Sequence, residues 1–321
     1  VGGPKFSVVV SSYNRAAIVE RCVQSVLASD FPDYELIVVD DGSTDGTVAR
    51  LSSVEDPRLR IIEHDRNRGM SHARSTGSEH ASGEWVVMFD SDWELEPFAL
   101  SRMAEVTAAT PAAVRVLWFR LRWGSDGVSP ARMPEGTVGY EDKLIWWNSG
   151  DAGDAVRCVR REIFQRTPYP KDRRGMLDTL YELDLAKHEL AIYYWDIVGT
   201  QHVDAPNSWL RAADPKILFP RMRNEAADML WLSETTLERH GDALARLTPG
   251  LRLELVRAAA LHAFILGRRR LGLRYGVQAV RSAPGNPNVW ATLLFGLAGP
   301  WLTLRGVLLS RVLAKRRLAG V

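Results

Sequence analysis

The chain has 321 residues, 46% hydrophobic and 25% charged, with a formal net charge of +2. That length supports one large or two modest globular domains, and the near-neutral balance gives no electrostatic case for a nucleic-acid partner. Cys22 and Cys158 lack metal-ligand spacing and read as buried thiols rather than a disulfide framework. The N-terminus enters a strand almost at once, so no signal peptide is expected. No uninterrupted run reaches the ~20 apolar residues of a spanning helix. The nearest, Val289 to Leu304, contains Pro300 and two glycines.

In chain order, Phe6 to Val10 predicts a short strand ending in the polar turn Ser11-Ser12-Tyr13-Asn14-Arg15. Ala16 to Ala28 has helical spacing, with Ile18, Cys22, Val23, Val26 and Leu27 on one face. Tyr34 to Val39 is a second strand, closing in Asp40-Asp41-Gly42-Ser43-Thr44-Asp45, which can cap a helix through Val48 and Leu51. Arg58 to Glu63 is a third strand. A helix from Asn67-Arg68-Gly69-Met70-Ser71 through Ala81 follows, then a fourth strand, Trp85 to Phe89. This alternation predicts an α/β fold with a mostly parallel sheet flanked by helices.

The fourth strand runs straight into Asp90-Ser91-Asp92. Ligands of open α/β sheets sit at the carboxyl ends of the strands. Two carboxylates there, one residue apart, make a hard-oxygen site for Mg²⁺ or Mn²⁺ shared with substrate phosphates. Taken alone, such a tripeptide is more often a solvated turn. Three polar clusters at three strand ends, around 11–15, 40–43 and 90–92, weigh against that reading.

Beyond Pro97 a helix runs through Leu100, Met103 and Val106, followed by a strand from Val114 to Trp123 and a Gly/Pro/Ser-rich loop, Gly124 to Gly139. Trp146 and Trp147, beside Asn148-Ser149-Gly150-Asp151, suit either a sugar-stacking surface or the core. Val156 to Arg161 is strand-like and leads into a short helix at Glu162 to Phe164. Gly175 to Glu189 predicts a helix and Ala191 to Ile197 a strand. From about Pro220 strand signals vanish and amphipathic helices take over, at 221–240, 251–266 and 272–282. We place a catalytic domain at 1–217 and an all-helical domain at 218–321.

Four ordered segments, Val-Val-Val-Ser-Ser-Tyr-Asn-Arg, Leu-Ile-Val-Val-Asp-Asp-Gly-Ser-Thr-Asp, Asn-Arg-Gly-Met-Ser-His-Ala-Arg and Phe-Asp-Ser-Asp, resemble the family-2 glycosyltransferases of GT-A fold over roughly residues 5–210. The resemblance implies an inverting, metal-assisted transfer of a sugar from a nucleotide-diphosphate donor, UDP by default, to an acceptor hydroxyl. It places the nucleotide at Ser11, Tyr13, Arg15, Asp40 and Asp41, and the diphosphate near Arg68, Arg74, Asp90 and Ser91. It puts Mn²⁺ or Mg²⁺ on Asp92 and Asp90, with His202 as a further candidate through its spacing to Asn207-Ser208. The catalytic base matches Asp178, with Glu182 one turn on as the alternative. The acid that usually precedes the base is Leu177 here, which leaves room for an inactive sugar-nucleotide or glycan-binding module.

The residues themselves argue against nucleotidyl transfer and dinucleotide oxidation, since the turn after the first strand has neither a basic Gly-rich loop nor Gly-x-Gly-x-x-Gly. The acceptor, whether a saccharide, a lipid-linked saccharide or a small molecule, is expected near Trp146, Trp147 and the 124–139 loop. Val289 to Leu304, with Arg305, Arg311, Lys315, Arg316 and Arg317 behind it, suits either a helix in a membrane interface or a hairpin packed on the protein. A cytoplasmic protein, or one peripheral at the inner face of the cell membrane, is the corresponding expectation.

Overall fold

A computed structural model describes residues 3–124, 127–171, 173–174, 178–202 and 215–299, the last stretch without the side chains of 215–219 and 221. In the first strand, β1 (Phe6–Ser12), Phe6, Val8, Val9 and Val10 are all essentially inaccessible. A strand buried on both faces needs apolar residues at consecutive positions, which is why no alternation is visible. The same holds for β2 (Tyr34–Asp40) and β4 (Trp85–Asp90). With β3 (Leu59–Glu63) these strands run parallel in the order β3-β2-β1-β4.

Successive side chains point to opposite faces, and two cores result. Val8, Val10, Leu36, Val38, Val87 and Phe89 meet Cys22, Val23 and Val26 of α1 (Val19–Leu27) and Leu100 and Met103 of α4 (Ala99–Ala109). Val9, Ile37, Val39, Val86 and Met88 meet Ala73 of α3 (Met70–His80), and this core continues into Ile163, Phe164 and Tyr181. Both cysteines are buried free thiols. At Gly77 a Cβ would lie 2.3 Å from Val9 Cγ1, so α3 reaches the sheet because that position has no side chain. Arg74, three residues earlier on the same face, is thereby brought to the sheet's edge.

Beyond β4 the sheet becomes mixed. Its order continues β4-β9-β6-β10-β5, where β5 is Trp93–Leu95, β6 Val114–Trp123, β9 Val156–Arg160 and β10 Leu190–Gln201. β9 is antiparallel to both β4 and β6, and β10 is parallel to β6 and antiparallel to β5. Two short strands lie where the sequence predicts only loop, β7 (Gly127–Ser129) on β6 and β8 (Thr137–Val138) on β10. A helix forms around the paired tryptophans, α5 (Tyr140–Ser149), its first turn held by Gly139 N–H donating to Asp142 Oδ2 at 3.0 Å. The remaining helices of this part are α2 (Thr47–Ser52), α6 (Ile163–Arg166) and α7 (Asp178–Ala186).

The chain divides into two compact units, 1–208 and 209–321. The second contains α8 (Pro215–Leu247), α9 (Pro249–Ile265), α10 (Arg269–Ser282) and α11 (Pro287–Leu297). Small residues let these helices close on few large ones: Ala259 and Ala263 pack with Leu230, Val256 and Ala279 with Val289, and Ala260 with Phe264 and Leu293. The basic stretch 305–317 and the pair Asn207-Ser208 lie outside the described residues, as does Leu177.

Candidate active site

The polar clusters do converge. Ser12 pairs with Asp40 across β1 and β2, and Ser11 with Asp90 across β1 and β4. The chain order reverses between β1 and β4, and such a switch point leaves a crevice at the strands' carboxyl ends. Asn14, at φ 53°, turns the β1 loop; its N–H donates to Ser43 Oγ at 2.8 Å and its Oδ1 accepts from Thr44 N at 2.8 Å. Asp40 accepts from Ser43 N at 2.8 Å and from Ser43 Oγ at 2.5 Å. Asp41, 2% exposed, accepts from the N–H groups of Arg68 and Gly69 at 2.9 and 2.7 Å and pairs with His64 Nδ1 at 2.7 Å. Both acids therefore bind loops together. Tyr13 stays exposed at the rim, whereas Ser12 Oγ and Arg15 Nη1 are buried without a partner among the described residues. Buried polar atoms of that kind are costly unless a ligand or water completes them.

From Asp90 a chain of charges crosses the site. Buried Arg74 donates from Nη2 to Asp90 Oδ1 at 2.6 Å and from Nη1 to Asp178 Oδ1. Arg157, on β9, donates from Nη2 to the same Asp178 oxygen at 3.0 Å and lies 3.4 Å from Glu182 Oε1. Glu182 is also 2.9 Å from Lys143 Nζ, which donates to Tyr193 Oη at 3.0 Å. Aromatic faces line this path: Lys143 sits 4.2 Å from the Trp118 ring centre, and Arg157 lies over Trp118, Tyr169 and Tyr181. Burial opposes ionisation of Asp178, but Arg74 and Arg157 outweigh it and hold the carboxyl below its ordinary range. Its side chain keeps about a quarter of its surface accessible, so an incoming hydroxyl can reach it. Arg68 lies further out, its guanidinium on Asp65 at 2.6 Å.

Asp92 is in the opposite condition. Burial, then the neighbouring Asp90, push its carboxyl up to about 6, with Arg15 working against them. Asp154, just before β9, is raised as well, by burial and by Asp90 and Asp178, against a 2.8 Å hydrogen bond from Gln201 Nε2. Among the described residues no three acidic, His or Cys side chains form a ready metal cluster. The donor set nevertheless fits a divalent ion that takes one or two carboxylates and completes its shell from phosphate and water. Surplus negative charge at Asp92 is what such an ion would relieve. His202 is tied to this motif through its backbone, its N–H donating to the Asp92 carbonyl at 3.0 Å, while its imidazole pairs with Glu94.

The two tryptophans part company. Trp146 is 8% exposed, edge-on to Tyr193, with its indole N–H donating to the Arg132 carbonyl at 2.9 Å. Its burial places it in the core, where no sugar can stack. Trp147 is half-buried. Three residues of the charged network carry no signal in the sequence: Arg157, Lys143 and Asp154 sit in no motif. The only hint is a charge inside an apolar stretch, such as Arg157 within Val156–Val159.

The profile of glycosyl transferase family 2 matches residues 7–167. The chain is 41% identical over 113 residues to the succinoglycan biosynthesis protein ExoO of Rhizobium meliloti, covering 35% of this chain and 32% of that protein. It is 34% identical over 105 residues to a GalNAc(5)-diNAcBac-PP-undecaprenol β-1,3-glucosyltransferase of Campylobacter jejuni, covering 32% of this chain and 34% of that one. The matched part thus spans about a third of the length of these curated relatives. Among solved structures, S. aureus TarS 1–349 superimposes with a TM-score of 0.58 at 17% identity, covering 90% of both chains. A mannosyltransferase of Pyrobaculum calidifontis does so with 0.55 at 20% identity, covering 92% of this chain and 87% of that one. The fold is that of these GT-A enzymes, and the chain belongs to glycosyl transferase family 2.

Proposed function

We propose that this chain moves a sugar from a nucleoside-diphosphate donor to an acceptor hydroxyl by a single displacement that inverts the anomeric carbon. The observation that carries the reading is the bridge Asp90–Arg74–Asp178. One guanidinium holds the acid of the donor motif and the acid opening α7, so a leaving group and a base can lie on either side of one reacting carbon. A divalent ion, Mn²⁺ or Mg²⁺, on Asp92 with Asp90 would supply Lewis-acid stabilisation of the departing diphosphate. Arg15, with its unpartnered buried Nη1, suits a phosphate oxygen. Asp178 takes the acceptor's proton; its two guanidiniums keep it ionised beforehand and discourage it from retaining the proton afterwards.

Structural neighbours are described in complex with UDP-GlcNAc, with UDP, and with GDP-Man and Mn²⁺. These complexes support a sugar-nucleotide donor, with UDP as the first to test. The names of the relatives, succinoglycan biosynthesis and undecaprenol-linked glucosyl transfer, favour a saccharide acceptor, free or lipid-linked, over a small natural product.

The test separates donor binding from transfer. A saturating donor with Mn²⁺ should stabilise the protein by roughly 2.7 kcal/mol at 100 times its dissociation constant. Asp178→Asn should keep that thermal shift while turnover falls ~10²–10⁴-fold. Glu182→Gln should cost less than ~tenfold, because Glu182 stands outside the Asp90–Arg74–Asp178 bridge, held by Lys143 and Arg157 instead. Normal turnover by Asp178→Asn would move the base to Glu182. If no nucleotide shifted the melting temperature, a module without transferase activity would be the better reading.

A further inference from the structure

The charges of this chain are sharply segregated. Glu254 is the last acidic residue; the 67 residues after it contain eleven Arg or Lys and no Asp or Glu. The first 254 residues carry the other 30 basic side chains against all 39 acidic ones. A near-neutral total therefore hides a strongly cationic end. Among the described residues of that end, Arg268, Arg269, Arg270, Arg274 and Arg281 are exposed at and along α10, and none forms an ion pair with another described residue.

The helix packed beside them, α11, has no charged residue at all. It buries Val289, Thr292, Leu293 and Gly296, a stripe at helical spacing, against α9 and α10; a Cβ at Gly296 would lie 2.1 Å from Phe264 Cδ2. A second stripe, Trp290, Leu294 and Leu297, lies about 100° around the helix and is 43%, 61% and 47% exposed. An apolar stripe on a helix normally faces a core. This one is exposed, on a helix packed against the arginine-bearing α10, and includes a tryptophan, the side chain suited to the boundary between headgroups and acyl chains. At eleven residues α11 is far too short to span a bilayer, and no described helix is long and apolar enough to cross one. We propose that the exposed stripe of α11 and the arginines of α10 form a docking surface for an anionic lipid bilayer, with the helix lying in the interface plane.

Charge complementarity selects that occupant. A nucleic acid would use the arginines and leave the Trp290–Leu294–Leu297 stripe in water. A neutral apolar partner would leave the arginines without a counter-charge. An anionic bilayer answers both at once.

The experiment uses the full chain with vesicles of phosphatidylcholine, with and without 30 mole-percent phosphatidylglycerol, roughly the anionic content at which basic clusters bind. Co-sedimentation is expected with the anionic vesicles, weak or absent with the neutral ones, and reduced by high salt. Leu294→Glu should lower partitioning by about tenfold, and Arg269→Glu with Arg270→Glu by at least as much. Both sites are exposed, so melting temperatures should be unchanged. A polarity-sensitive fluorophore on Leu294→Cys should shift to the blue on anionic vesicles; the native thiols are buried and escape labelling. Binding that survives Leu294→Glu undiminished, an absent spectral shift, or tighter binding to single-stranded DNA than to vesicles would each overturn the proposal. Vesicle binding is read without turnover, so its failure leaves the transferase reading intact.

Discussion

At Asp92 the fold works against itself. Its carboxyl is pushed up to about 6 from an ordinary 3.8, chiefly by burial and by Asp90. A carboxyl raised in this way favours the folded state while protonated. That advantage disappears as pH rises from 3.8 through about 6, leaving an ionised group that costs at most about 3 kcal/mol above that range. Asp92→Asn, which keeps the shape and removes the charge, should therefore raise the melting temperature of the protein in EDTA at pH 7.5, by the equivalent of about 1–3 kcal/mol. At pH 4 the gain should vanish. A variant with the same melting temperature at both pH values as the parent would mean that Asp92 carries no surplus charge, and the case for a cation there would weaken with it. Asp90 differs because Arg74 already answers it. That difference could not be seen in Asp90-Ser91-Asp92 itself, although the motif was legible because its two acids stand one residue apart at a strand end. Arg157 and Asp154 reach the site only because β9 inserts between β4 and β6, and Arg74 only because Gly77 lets α3 close on β1, and neither event is recorded in local sequence.

For whole elements, legibility followed the number of buried faces. β1, β2 and β4 are buried on both and announce themselves as unbroken apolar runs. β7 and β8 have two or three residues each and exist only because β6 and β10 offer edges to pair with, so 124–139 read as loop. In α5 the pair Trp146-Trp147 spoke for a binding surface, while the capping Asp142 and the burial of Lys143 and Leu144 make a helix. Helix contacts in the second unit were equally hidden. The Phe264 ring is held between two glycines: a Cβ at Gly272 would fall 2.6 Å from Cδ1, and one at Gly296 would fall 2.1 Å from Cδ2. Glycine to alanine inside a helix ordinarily gains about 1 kcal/mol. At Gly272 and Gly296 the sign should reverse, to a loss of about 1–3 kcal/mol through overpacking. Gly241 in α8 has nothing within 4 Å of its Cβ position, and there the usual gain should appear. Denaturant melts followed by far-ultraviolet circular dichroism would read all three. A gain at Gly272 would show that Phe264 moves aside at little cost.

The molecule as a whole has two units with separate cores, and they should respond differently to acid. His262 of α9 is mostly buried, and the Ala258 carbonyl one turn back favours its protonated ring only weakly. Burial lowers its pKa from an ordinary 6.5 to about 4. A base depressed in this way supports the folded state fully above 6.5 and progressively less as pH falls toward 4, because the unfolded chain takes up a proton that the native one refuses. At pH 5 the loss should amount to roughly 2 kcal/mol. It falls on a unit whose last 67 residues have no carboxylate to offset a new positive charge. Hydrogen exchange of the intact chain, compared at pH 5 and 7.5 after correction for intrinsic rates, should therefore show protection falling in α9 and α10 while β1 and β4 hold theirs. His262→Leu removes the titrating group and keeps the site apolar, and it should abolish most of that difference. If α9 loses as much protection in the variant as in the parent, the acid sensitivity comes from repulsion among the arginines instead. It should then yield to salt, as a buried imidazole's proton uptake does not.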